Sequence, residues 1–131
     1  MRRWLAVGAT AVAGVVGAGC GPEAPSDELR ARLLALATPA EYAAGERAFA
    51  TFCARCHGER ALGTDEGPPL VHSIYEPGHH ADFAFERAVR FGVRAHHWRY
   101  GDMPAVPEVP PDSVKDIIAY VRWLQREAGI D

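Results

Sequence analysis

Apolar positions along the chain fall into one continuous run and a set of periodic stretches. The run extends from Trp4 to Ala18, behind Met1-Arg2-Arg3. It is shorter than the ~20 residues that cross a bilayer comfortably. Behind it, Pro22, Pro25 and Ser26 mark a turn-rich segment, and then Leu29, Leu33 and Leu36 stand at helical spacing. That stretch reads either as a short helix lying on a domain or as a tether. Thr38-Pro39-Ala40-Glu41 has the form of a capping box with proline at the first helical position. It predicts a helix from Thr38 to about Arg55. Glycines and prolines between Gly58 and Gly78 predict a loop. A second helix is predicted from Asp82 to Phe91, with Phe85, Ala88 and Val89 on one face and Gly92 after it. Another loop follows from Val93 to Pro110. The last helix, Pro111 to Ala128, places Val114, Ile117, Ile118, Val121 and Leu124 at 3.6-residue spacing, with Gly129 beyond it. Period-two alternation of useful length is missing, so the fold class is all-α.

The 131 residues leave room for one domain and an export segment. A positive start, a short apolar run and small residues before a cut give residues 1–19 the layout of a signal peptide. Residues 20–37 are then a linker or tether, and residues 38–131 the folded domain. A domain this small has a marginal core of its own. The chain holds 14 basic and 17 acidic side chains. Removal of residues 1–19 takes Arg2 and Arg3 and no acid, so the remainder is more acidic still. Nucleic acid is therefore excluded as an expected partner.

The chemistry is concentrated in Cys53-Ala54-Arg55-Cys56-His57. This C-x-x-C-H pattern is the attachment sequence for covalent c-type haem. Two cysteines three apart share one side of a helical turn, so both sulfurs can reach the vinyl groups on one porphyrin edge. The histidine that follows offers an imidazole nitrogen to the iron. With three Cys and six His in the chain, a shuffled sequence carries the pattern only about three times in a thousand. A thioredoxin-like dithiol would want a βαβ setting, and half a zinc site would want a second Cys/His pair at ligand spacing. Neither is visible.

A second iron ligand decides what such a haem does. Met103, the one methionine besides Met1, lies in Gly101-Asp102-Met103-Pro104. Its thioether is soft and neutral and favours ferrous iron. Pro104 biases Met103 toward extended backbone, and Gly101 lets the chain turn. Trp98, in the cation- and aromatic-rich run Arg94 to Tyr100, is a candidate donor to a haem propionate, with Arg94 or Arg99 nearby. His72, His79, His80, His96 and His97 are each alternative ligands or surface residues.

On these motifs residues 38–129 resemble the class I mono-haem c-type cytochromes. The resemblance implies three main helices packed around one covalent haem c. Gly45 and Phe49 match the glycine and aromatic that precede C-x-x-C-H in that family. Ile117 and Tyr120 match the last-helix residues that rest against that glycine. Gly67-Pro68-Pro69-Leu70 is similar to the loop whose proline carbonyl accepts a hydrogen bond from the proximal histidine. By that likeness Pro68 orients His57, and Leu70 packs on the haem. Lys115 is the single lysine, so the lysine ring with which mitochondrial relatives dock is missing.

The resemblance implies a one-electron carrier between redox proteins, with no catalytic residue, in the periplasm or on an extracytoplasmic membrane surface. Ala18-Gly19-Cys20 further resembles a bacterial lipoprotein processing site, with Gly17 where that pattern usually has leucine. Lipidation of Cys20 would account for the odd cysteine and tether the carrier to a membrane. Ordinary cleavage nearby is the alternative. Two other functions remain open on the sequence. One is a haem subunit fixed in a larger membrane oxidoreductase. The other is a haem enzyme or gas sensor in which Met103 is displaceable.

Overall fold

The computed structural model describes residues 22–131. The expected signal segment and Cys20 lie outside them. Five α-helices are present: α1 (Asp27–Ala35), α2 (Ala43–Phe52), α3 (Ala54–His57), α4 (Asp82–Phe91) and α5 (Pro111–Glu127). Three short 3₁₀ turns, Ala40–Tyr42, Glu59–Ala61 and Ser73–Tyr75, join them. No strand occurs among the described residues. A single antiparallel bridge pairs Val93 with Met103. No described helix is long and apolar enough to cross a membrane. The all-α expectation holds, with α2, α4 and α5 as the three main helices.

The core forms where α2 crosses α5. The apolar stripe of α5 buries Ile117, Tyr120, Val121 and Leu124 against Phe49 of α2. Each such side chain stabilises by roughly 1.5–3 kcal/mol when fully buried. Close crossing requires Gly45. A Cβ there would stand 2.8 Å from Tyr120 Cβ and would strike the Asp116 carbonyl. Phe49 and Tyr120 pack at a 5.7 Å ring separation. Tyr42 stacks on Trp123 at 5.5 Å. The Gly45, Phe49, Ile117 and Tyr120 contacts implied by the family resemblance are therefore present.

Two expectations about the first helix need correction. The Thr38 capping box does not form, because Thr38 Oγ1 donates to Glu46 Oε1 at 2.7 Å and accepts from Arg60. The segment begins instead as the 3₁₀ turn, and α2 starts at Ala43. Nor is the helix continuous to Arg55. It pauses at Cys53, whose backbone (φ −119°, ψ −35°) separates α2 from α3.

Of the two readings open for the Leu29–Leu36 stretch within the 20–37 linker, a helix lying on the domain or a tether, the structure shows the helix, packed from Asp27 onward. Ser26 caps α1 by accepting from Leu29 N–H at 3.3 Å. Leu33 is fully buried in the core. Arg30 donates to Leu62 O at 2.7 Å, and Arg60 donates to Leu36 O at 2.6 Å while pairing with Glu46 at 3.0 Å. Arg60 and Ala61 take left-handed backbone (φ 54° and 56°), which costs roughly 1–3 kcal/mol each unless the surroundings hold it. The Arg60 contacts do so and clamp α1 onto the domain.

Candidate haem site

Beside that core, and sharing Phe49 and Ile117 with it, the chain forms a cavity of ≈ 460 Å³, within the size range of small-molecule and cofactor sites. Its walls include Cys53, His57, Pro68, Leu70, Trp98 and Met103. Six of the residues singled out from the sequence thus converge on one space. Cys56 follows on α3, one residue before His57 and outside the cavity wall. Both haem-motif cysteines are unpaired.

His57 is 8 % exposed, and its Nδ1–H donates to Pro68 O at 2.8 Å. That bond fixes the tautomer and leaves Nε2 with a free lone pair. Burial holds the imidazole below its ordinary range, with the Pro68 bond opposing in part. The ring is therefore neutral, as a metal ligand must be. Burial, and then the neighbouring Cys56, push the Cys53 thiol up to about 11. A dithiol oxidoreductase needs the reverse, a thiol lowered toward neutrality. The Cys53 thiol therefore does not suit redox exchange.

Met103 comes from the other wall, on a loop that is pinned at both ends of the residue. Val93 N–H donates to Met103 O at 2.9 Å, and Met103 N–H donates to Val93 O at 2.9 Å. Gly92 permits the approach. It has φ 74°, and a Cβ on it would meet Met103 O at 2.5 Å. The Gly101 turn expected from the sequence is also present, at φ 89°.

Trp98 supplies the clearest sign that the cavity takes a polar-edged guest. Its Nε1–H is buried beside the Tyr75 hydroxyl but reaches no acceptor at hydrogen-bond geometry, a state that costs roughly 1–3 kcal/mol if nothing relieves it. Burial pushes the nearby Tyr75 phenol up to about 12, with the Trp98 indole offsetting part of the rise. Arg94 also lines the cavity, whereas Arg99 does not. An apolar enclosure with a neutral imidazole, a thioether, a cysteine pair and an orphaned N–H fits a haem group. His57 and Met103 would hold the iron, Cys53 and Cys56 the porphyrin edge.

Sequence reasoning missed the scaffold beneath the site. Arg122 donates to Asp82 at 2.8 Å, to Tyr75 O at 2.6 Å and to Gln125 Oε1 at 2.6 Å. Its guanidinium lies 4.8 Å over the Phe85 ring. Gln125 donates to Leu70 O at 2.8 Å. These two side chains tie the 70–82 segment to α5. The signal was there: both continue the buried face of Ile118 at helical spacing, and polar groups on such a face need buried partners.

The family model described as cytochrome c matches residues 42–125. No curated protein and no solved structure matches the chain.

Proposed function

The chain belongs to the cytochrome c family, and from that premise we propose that it is an exported one-electron carrier with His57/Met103 axial ligation. Membership carries covalent haem c, with Cys53 and Cys56 as the attachment cysteines, and haem-based electron transfer with redox-protein partners. When bound, haem c supplies a one-electron Fe(III)/Fe(II) couple. The observation that carries the ligation reading is His57 Nδ1–H on Pro68 O, with His57 and Met103 sharing one cavity. Pro68 keeps the His57 lone pair directed, and burial keeps the ring neutral. The Met103 thioether favours the ferrous state and raises the potential. Leu70, Ile117 and Ile118 keep water from the site. Trp98 donates to a propionate, and Arg94 adds positive charge on the same wall.

The two-sided Val93–Met103 pairing favours a carrier over an enzyme or gas sensor, because a displaceable ligand needs a loop free to withdraw. Fixed ligands keep both oxidation states alike in geometry. Export by residues 1–19 and a lipid at Cys20 belong to the same proposal, supported by the apolar run and by Ala18-Gly19-Cys20. Mass spectrometry of the mature protein tests them. An acylated N-terminal Cys20 is the expected result, and a soluble chain beginning beyond Cys20 refutes the anchor alone.

Met103→Ala tests the axial pair. The weak far-red band of methionine-ligated ferric haem should vanish, and the potential should fall below that of the wild type. Absence of the band from the wild-type protein, with a potential well below zero, would assign the sixth position to one of the other histidines.

A further inference from the structure

Four histidines outside the proposed axial pair converge at one rim of the cavity. His79 and His80 lie on the turn before α4, and His96 and His97 on the loop that carries Met103. One ligand nitrogen each from His79, His80 and His97 lie within 4.8 Å of one another, the one such ligand group among the described residues. Ring centroids are 4.7 Å apart for His79/His80, 5.1 Å for His79/His97 and 5.2 Å for His80/His97. His96 stands 4.3 Å from His97. Such crowding of polar rings at a rim gains little from burial.

The cluster is also held from behind. His80 Nδ1–H donates to Ile74 O at 2.6 Å, which leaves Nε2 as the free donor atom. This is the outer-shell arrangement that orients metal-binding histidines. The His79–His80 turn is fixed in turn by Arg122, which donates to His80 O and to Tyr75 O. On the facing loop Ala95 N–H donates to Asp102 Oδ1 at 2.9 Å, ahead of the Val93–Met103 pairing. Burial, and then the neighbouring histidines, keep His97 below the ordinary imidazole range.

We propose that His79, His80 and His97 form a binding site for one late first-row divalent cation of the Zn²⁺ or Cu²⁺ type. Three imidazoles with no thiolate or carboxylate suit these ions rather than Mg²⁺ or Ca²⁺. Metal–nitrogen bonds of about 2.0–2.1 Å draw the three nitrogens closer than they stand now. His79 is exposed and its ring is free to make that adjustment. The fourth position is open to water or to His96. A cation there clips the His79–His80 turn to the loop that carries Met103. The site rests on the reading above that Met103, and none of these histidines, is the sixth iron ligand.

The test is calorimetric titration of the full-length, EDTA-treated holoprotein with Zn²⁺. One equivalent should bind, and the thermal midpoint should rise with it. His79→Ala/His97→Ala should weaken binding by at least ~10-fold and abolish the thermal shift with the haem spectrum unchanged. His72→Ala, outside the cluster, should bind as the wild type does. If the double variant loses its haem spectrum, His79→Ala alone, at the exposed position, gives the same reading. Absence of saturable binding to the wild type, unweakened binding to the variants, or an equal loss in His72→Ala would overturn the site.

Discussion

The two sides of α5 are built by different means. Toward α2 the helix closes on side chains of its own chain: Phe49, Tyr120, Val121 and Leu124 are at most 2 % exposed. Toward α4 it borders the cavity, and α4 has no buried residue at all. Phe83 and Phe91 of α4 are 65 % and 69 % exposed. The first side closes on itself except where Phe49 and Ile117 also wall the cavity. The second has polar scaffolding, apolar walls and a hole, so its packing depends on covalent haem. Attachment at Cys53, where α2 ends, joins the side that packs itself to the side that does not.

The largest effect should follow from removing the bond between the halves. Cys53→Ala/Cys56→Ala should abolish covalent haem and leave the cavity unfilled. Without the apolar guest the walls of the ≈ 460 Å³ cavity face water, in a domain whose whole stability is about 5–15 kcal/mol. Little folded protein should remain, and any residual hydrogen-exchange protection should sit in α2 and α5 rather than in α4. A stable apoprotein protected equally on both sides would erase the distinction.

Gly45→Ala perturbs only the self-packed side. The added methyl meets the Asp116 carbonyl and Tyr120 Cβ, so the helices must separate, at about 3 kcal/mol by the scale of overpacked cores. Denaturant unfolding should register the loss, while the haem spectrum stays as in the wild type. Arg122→Leu acts on the other side by removing donors from Tyr75 O, His80 O and Gln125 Oε1. About 2 kcal/mol is expected from acceptors left unpaired, with Asp82 adding little because its side chain is 64 % exposed. Faster hydrogen exchange should appear at Tyr75–Phe91 and not across α2. Uniform acceleration would mean that Arg122 supports the whole fold.

Legibility in the sequence followed the same division. The ends of α4 and α5 were readable because Gly92 and the Pro110-Pro111 pair impose backbone rules locally. The chemical residues were readable because C-x-x-C-H and Gly-Asp-Met-Pro are local patterns. Interactions that span the chain were not. Thr38 looked like a helix cap until Glu46 and Arg60, distant in sequence, took its hydroxyl. Asp27–Ala35 carries four charged residues among nine, and the burial of Leu33 with the Arg30–Leu62 and Arg60–Leu36 bonds shows that it belongs to the domain. Arg122 and Gln125 satisfy carbonyls about 50 residues upstream, and no periodicity in α5 names those partners. The histidine group is a further case, drawn from two separated loops.

The smallest effect concerns pH and falls on the cavity rim. His80 is held below the imidazole value of 6.5 first by burial and then by His79, His96 and Arg122, with the Ile74 bond opposing. His97 is lowered by burial and by His96, His80 and His79. A depressed histidine binds fewer protons folded than unfolded. Its contribution is therefore complete above 6.5 and is lost as pH falls through the lower folded value. Metal-free holoprotein should show a thermal midpoint that declines modestly from about pH 7 to about pH 5, with the carboxylates largely still ionised. His97→Ala should flatten that slope by removing one titrating ring. Gly45→Ala should lower the curve without changing its slope, because the self-packed side does not take part in this titration. A slope that His97→Ala leaves unaltered would place the acid sensitivity away from the rim and detach it from the haem side of the molecule.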